Sequence, residues 1–136
     1  MAIVRSESEE EESMIVGTHH IALLISSEET LDFYKKLGFE ESFRKERKVD
    51  TVVLLDGFGI QLEVFIDNRH PKKAESLDEP LGCRHFALCV DNIEETVAEF
   101  GFDHTDIGID WRGIRYCYIT DPDGNQIELH ESSLYG

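Results

Sequence analysis

The chain repeats itself, and that repeat constrains its fold more than any other feature. His85-Phe-Ala-Leu-Cys-Val90 lies 65 positions after His20-Ile-Ala-Leu-Leu-Ile25. The same offset of 65 carries Asp56, Gly59, Gln61, Leu62, Glu63 and Val64 onto Asp121, Gly124, Gln126, Ile127, Glu128 and Leu129. Two blocks that share one offset mark a duplicated structural unit. Each unit holds one His and, 43 positions later, one Glu: His20 with Glu63, and His85 with Glu128.

Local chemistry gives each unit the same order of elements. Asp121-Pro-Asp-Gly124 is turn chemistry, since Pro pre-sets φ, Gly tolerates positive φ and Asp bonds nearby backbone. The strand that follows alternates, with Gln126, Glu128 and His130 on one face and Ile127 and Leu129 on the other. Thr18 to Ser26 reads likewise as a strand, placing His20, Ala22 and Leu24 opposite Ile21, Leu23 and Ile25, with His19 turned away from His20. Ser26 or Ser27 caps a helix with Glu28 and Glu29 in its first turn. Leu31, Tyr34 and Leu37 form its apolar stripe, and Gly38 ends it.

Phe39 to Glu46 reads as an edge strand. Val52 to Leu55 and Gly59 to Ile66 are two more, joined by Asp56-Gly-Phe-Gly59. In the second unit a strand over Arg84–Val90 leads to a helix capped by Asp91 or Asn92 and ending near Phe100. Strands His104–Ile109 and Gly113–Thr120 follow, with Trp111 and Arg112 in the turn between them. The expected fold is therefore α+β: two tandem βαβββ modules, residues 15–67 and 83–131, forming a cupped mixed sheet with helices on the outer face. They make up a single domain over 15–136, behind a glutamate-rich leader over 1–14 that reads as disordered.

Charge excludes some partners. With 29 acidic against 13 basic residues the formal charge is −16, which argues against nucleic acid and against anionic membrane. The three cysteines form no CxxC pair, and no apolar run reaches membrane-spanning length. The expectation is a cytoplasmic protein with reduced thiols that acts on a small molecule.

A lone His or Glu on a strand is ordinarily a hydrogen-bonded or solvated residue. Duplication at one offset changes that reading for His20, Glu63, His85 and Glu128. All four occupy the face opposite the apolar positions, so a pseudo-twofold pairing of modules turns them toward one centre. Two neutral imidazoles and two carboxylates suit a divalent cation, and carboxylate ligands favour an open site over a closed thiolate one. His130 shares the face of Glu128 and would support it. Cys89 shares the face of His85 and reads as a packed thiol beside the site. His19, His70 and His104 read as surface residues.

These motifs resemble the vicinal-oxygen-chelate superfamily, that is, the glyoxalase/bleomycin-resistance/dioxygenase fold. His20-Ile-Ala-Leu with Phe33-Tyr34-Lys-Lys-Leu-Gly-Phe39 is similar to its N-terminal signature. Arg84-His-Phe-Ala-Leu-Cys-Val-Asp91, Asp121-Pro-Asp-Gly and Ile127-Glu-Leu129 are similar to its second-half signatures. The two-His, two-Glu set resembles bacterial glyoxalase I, and this resemblance implies one nickel, cobalt or zinc ion on His20, Glu63, His85 and Glu128. It implies a homodimer, and proton transfer by Glu63 or Glu128 through an enediolate. An epimerase of the same superfamily and a non-catalytic drug- or metabolite-binding protein are the alternatives.

The resemblance also bears on the thiol. The Arg that typically holds the glutamyl carboxylate of glutathione is here Leu24, and the usual Asn four residues beyond the second ligand is Asp67. Arg112 matches a residue that contacts the glycine end, and Arg115 or Arg47 could compensate from another direction. The expectation is a metal site with a thiol carrier other than glutathione.

Overall fold

In the computed structural model, which describes residues 14–73 and 79–131, the repeat becomes two copies of one βαβββ unit. The first runs β1 (Ile21–Ile25), α1 (Glu28–Leu37), β2 (Glu40–Glu46), β3 (Thr51–Gly57) and β4 (Ile60–Ile66). The second runs β5 (His85–Cys89), α2 (Ile93–Phe100), β6 (Gly108–Ile109), β7 (Arg115–Thr120) and β8 (Gln126–His130). Apart from Met14, the expected acidic leader lies outside the described residues.

Each module builds its own four-stranded mixed sheet, in the orders β1-β4-β3-β2 and β5-β8-β7-β6. The α+β fold of two tandem βαβββ modules expected from sequence is the fold found, with one mixed sheet contributed by each module. First and last strands of each module pair in parallel, and the duplication extends to register: Ala22 pairs with Glu63, and Ala87 with Glu128. Alternation then sends Leu62 and Val64 one way and Glu63 the other, and does the same for Ile127, Leu129 and Glu128.

The apolar faces make one core. Ile25, Val53, Leu55, Leu62 and Val64 share it with Leu31, Tyr34 and Leu37 of α1. Cys117, Ile119, Ile127 and Leu129 bring the second sheet to the same cluster, with Ile93 and Val97 of α2. Each fully buried Leu, Ile or Val contributes about 1.5–3 kcal/mol relative to exposure. The helices thus cover the face opposite Glu63 and Glu128, which leaves the His/Glu faces open.

The Asp121-Pro-Asp-Gly turn does more than reverse the chain. Its Asp121 carboxylate accepts the Asp123 and Asn125 backbone N–H groups at 2.8 and 2.9 Å and the Asn125 amide at 2.9 Å. It also accepts the hydroxyl of Tyr34, in the other module, at 2.6 Å. Asp123 accepts the Ser26 backbone N–H and hydroxyl at 2.7 and 2.6 Å. The turn of the second module is therefore bolted to β1 and α1 of the first.

The two long hairpins turn differently. Gly57 pairs with Ile60 across Phe58 and Gly59, both with positive φ (55° and 78°), as a two-residue type I′ turn needs. In the second module, Asp121 and Asn125 flank three residues ending on Gly124, whose φ is 91°. The extra residue slides β7 along β8 by one relative to the 65-residue alignment. Leu54 stands opposite Glu63, and Tyr118 stands opposite Glu128.

Other departures are local. The strand expected over His104–Ile109 shrinks to an isolated bridge at His104 and the two residues of β6. Tyr118 N–H donates to the Thr105 hydroxyl at 2.9 Å, so a side chain stands where a ladder carbonyl would. His20 precedes β1, and its Nδ1 lies 2.8 Å from Nδ1 of His19. Strand alternation has not yet begun there, so the two imidazoles meet instead of pointing apart. Among the described residues no helix is long and apolar enough to cross a membrane.

Candidate functional site

Each open sheet face carries one imidazole–carboxylate pair. His20 Nε2 stands 3.3 Å from Glu63 Oε1, with side chains 35% and 30% exposed. His85 Nε2 stands 3.1 Å from Glu128 Oε1, with side chains 23% and 16% exposed. The shared register produces this likeness: in each module the His lies two residues before the alanine that pairs with the Glu. Within one chain the pairs do not merge. No group of three or more His, Cys, Asp or Glu among the described residues is placed to hold one ion.

The pairs differ in their third member. His19 contacts His20 in the first, occupying Nδ1 and leaving Nε2 toward Glu63. In the second, the Tyr118 hydroxyl is directed at Glu128 Oε1, 3.5 Å away, and its ring meets that of His85 edge-on with centroids 5.0 Å apart. Burial and the Glu128 charge push the Tyr118 phenol above its ordinary value. Sequence reasoning missed Tyr118, because an offset of 65 sets it against Val53, a fully buried core position. The available signal was the alternation of β7, where buried Cys117 and Ile119 leave Tyr116 and Tyr118 on the open face.

The remaining candidates divide. Leu24 is on the open face and 44% exposed, and Cys89 is exposed beside the register partner His130. Leu24 also lines a cleft of about 490 Å³ with Asp67, His70, Lys72 and Asn125. Arg112 is committed to Asp110 through Nε at 3.1 Å and Nη2 at 2.8 Å, and it meets His130 Nε2 at 2.9 Å. Burial pushes the Asp110 carboxyl up, but the Ile114 N–H and Arg112 outweigh it and hold the pKa at about 2. Arg112 therefore sits at the rim with its charge already answered.

Arg115 is not at the site. It has the parity of Cys117 and Ile119, so it points to α2 and pairs with Glu131 at 3.0 Å and Glu94 at 2.6 Å. Asp67 is likewise no bare anion. Arg69 holds it with two bonds of 2.8 and 2.6 Å and His70 approaches at 3.2 Å, which keeps its carboxyl well below the ordinary range. Arg47 lies over the Phe65 ring and is tied to Asp50 at 2.6 Å.

Comparison with known proteins bears on the family and the fold. The profile of the Glyoxalase/Bleomycin resistance protein/Dioxygenase superfamily matches residues 17–129. The crystal structure of a glyoxalase family protein from Enterococcus faecalis is 36% identical with a TM-score of 0.77, covering 85% of this chain and 97% of that one. A lactoylglutathione lyase from Agrobacterium tumefaciens is similar at 20% identity and TM-score 0.63, over 91% and 99% of the two chains. A mutant of the fosfomycin resistance protein FosX from Listeria monocytogenes, complexed with Mn(II) and 1S,2S-dihydroxypropylphosphonic acid, is similar at 19% identity and TM-score 0.66, over 90% and 97%. At the last two identities the likeness speaks for the fold. A comparison with curated proteins returned no match. Repeat, register and profile converge, and the chain belongs to the glyoxalase/bleomycin resistance protein/dioxygenase superfamily.

Proposed function

We propose that the protein is a metal-dependent lyase or isomerase of glyoxalase I type, acting on a thiol hemithioacetal or a related small carbonyl compound. The observation that carries this reading is the duplicated His–Glu pair, held at one register on two open faces. The donors fit a divalent ion. Two ligands about 2.0–2.2 Å from a shared ion stand roughly 3.0–3.5 Å apart at ordinary coordination angles, and the pairs measure 3.3 and 3.1 Å. Nickel, cobalt or zinc, bound by His20, Glu63, His85 and Glu128, would supply Lewis acidity at a substrate carbonyl oxygen.

The chain's own residues supply the rest. A glutamate Oε takes the proton from the carbon beside the carbonyl and returns it to the neighbouring carbon, so no external redox partner is needed. Each pair offers only two donors, so the four-donor set is assigned to a homodimer in which the pairs of two protomers face one another. Among the described residues β1 and β5 end their sheets, as β2 and β6 also do, and terminal strand edges are normally covered, which supports an assembly of this kind.

Glutathione is not proposed as the carrier. Leu24 has no charge, and Arg112 is already paired with Asp110. A half-buried ligand carboxylate without its cation loses about 2–5 kcal/mol.

Protein purified without chelator is expected to hold about one divalent ion per His₂Glu₂ centre, and His20→Ala and His85→Ala are each expected to lose it. Occupancy untouched by both substitutions refutes the site. A fully metallated protein that isomerises the methylglyoxal–glutathione adduct at about 10⁶ M⁻¹s⁻¹ or faster refutes the exclusion of glutathione.

A further inference from the structure

We infer that Tyr118 is a positioning residue that holds Glu128 in place, which leaves Glu63 as the carboxylate that moves the proton. This rests on the function proposed above and asks which of its two glutamates travels. The comparison is internal, because the duplication supplies its own control. Leu54 and Tyr118 are twin positions, each directly across an antiparallel pair from the glutamate of its module. Directly opposed side chains on one face lie about 4.5–5.5 Å apart at Cβ and interact. In the second module that neighbour is a phenol with its hydroxyl 3.5 Å from Glu128 Oε1. In the first it is an aliphatic chain with nothing to donate.

The neighbouring groups preserve this asymmetry. The second pair is braced at both members, since the Tyr118 ring also packs edge-on against His85. Among the described residues the first pair is braced through its imidazole alone, where His19 occupies Nδ1 of His20. Arg47, which feels the Glu63 charge, is engaged by Asp50 through Nε at 2.6 Å and Nη2 at 2.7 Å. Among the described residues Glu63 Oε1 thus has His20 at 3.3 Å, with no hydroxyl contact such as Tyr118 gives Glu128. A base that shuttles a proton must leave and return, and a carboxylate held by a donor does so at greater cost.

The test is a pair of double-substitution cycles on full-length protein, with Co(II) as the probe, its affinity read by chelator competition and its ligand set by visible absorption. Tyr118→Phe keeps the ring on His85 and removes only the hydroxyl, and loss of such a supporting group is expected to weaken Co(II) about 10–100-fold. That loss is expected to vanish when Glu128→Gln is already present and to persist in full beside Glu63→Gln. With Co(II) saturating, Glu63→Gln is expected to suppress proton transfer far more than Glu128→Gln. A Tyr118→Phe effect that adds equally to both glutamate changes marks a merely structural ring and overturns the positioning role. Proton transfer lost mainly in Glu128→Gln overturns the assignment to Glu63. Failure of the unsubstituted protein to bind Co(II) overturns the functional reading itself, and the inference with it.

Discussion

Asp121 shows how much a single side chain can carry in a chain of this size. Its carboxylate is buried yet accepts four hydrogen bonds, one of them from a residue 87 positions away. Tyr34→Phe removes that long-range donor, and a bond to a charged group is worth about 1.5–3 kcal/mol. Denaturant unfolding at neutral pH is expected to show that loss. Burial and the Asp121 charge also push the Tyr34 phenol far above its ordinary value. A folded pKa above the unfolded one gives stability that is complete below about pH 10 and is lost as pH rises further. Tyr34→Phe is therefore expected to flatten the alkaline arm of the stability profile, and an unchanged arm would exclude Tyr34 as its source. The pairing of His20 with Glu63 and of His85 with Glu128 was legible in the sequence because each His and Glu recurs at one offset. The pairing of Arg112 with Asp110 was not, since it depends on where a loop folds back.

The two helices start differently. Asn92 accepts the Glu95 N–H at 2.8 Å, whereas Ser27 makes no side-chain cap bond. Asn92→Ala is expected to cost about 1 kcal/mol, and Ser27→Ala only a few tenths, as thermal melts of the two variants would show. Equal losses would mean that the Ser27 hydroxyl caps α1 after all. Both helices and most strands were readable from caps, stripes and glycines. The relative slide of β7 and β8 was not. One extra turn residue leaves the hydrophobic alternation of each strand intact while changing which residues face each other across the pair. That is why the repeat shows the face on which Glu128 lies and conceals its neighbour Tyr118. The collapse of the His104–Ile109 strand has a similar origin, since Thr105 uses its hydroxyl as a backbone acceptor.

On the scale of the whole molecule, the separation of the two pairs in one chain makes a distinctive prediction about assembly. If the centre forms between protomers, mixing His20→Ala with His85→Ala after reversible dissociation is expected to rebuild intact sites in the mixed dimers. Random re-pairing restores about one centre in four, because half the dimers are mixed and each has one undamaged site. Metal analysis of the mixture reads this directly, and no recovery in dimers shown to have exchanged would place the site within one chain. The seam between modules has a further consequence, on an evolutionary timescale. Asp121 and Asp123 reach from the second turn into the first module, while the equivalent Asp56 stays exposed and is engaged within its own module by Gln61 and Ser42. The halves have ceased to be interchangeable parts. A chain made of two first modules would lack the clasp, and one made of two second modules would have clasps without the Tyr34 and Ser26 that receive them. The two halves, alike in register, have in that sense become complementary parts of one clasp, and a recopied half could not replace its twin without undoing it.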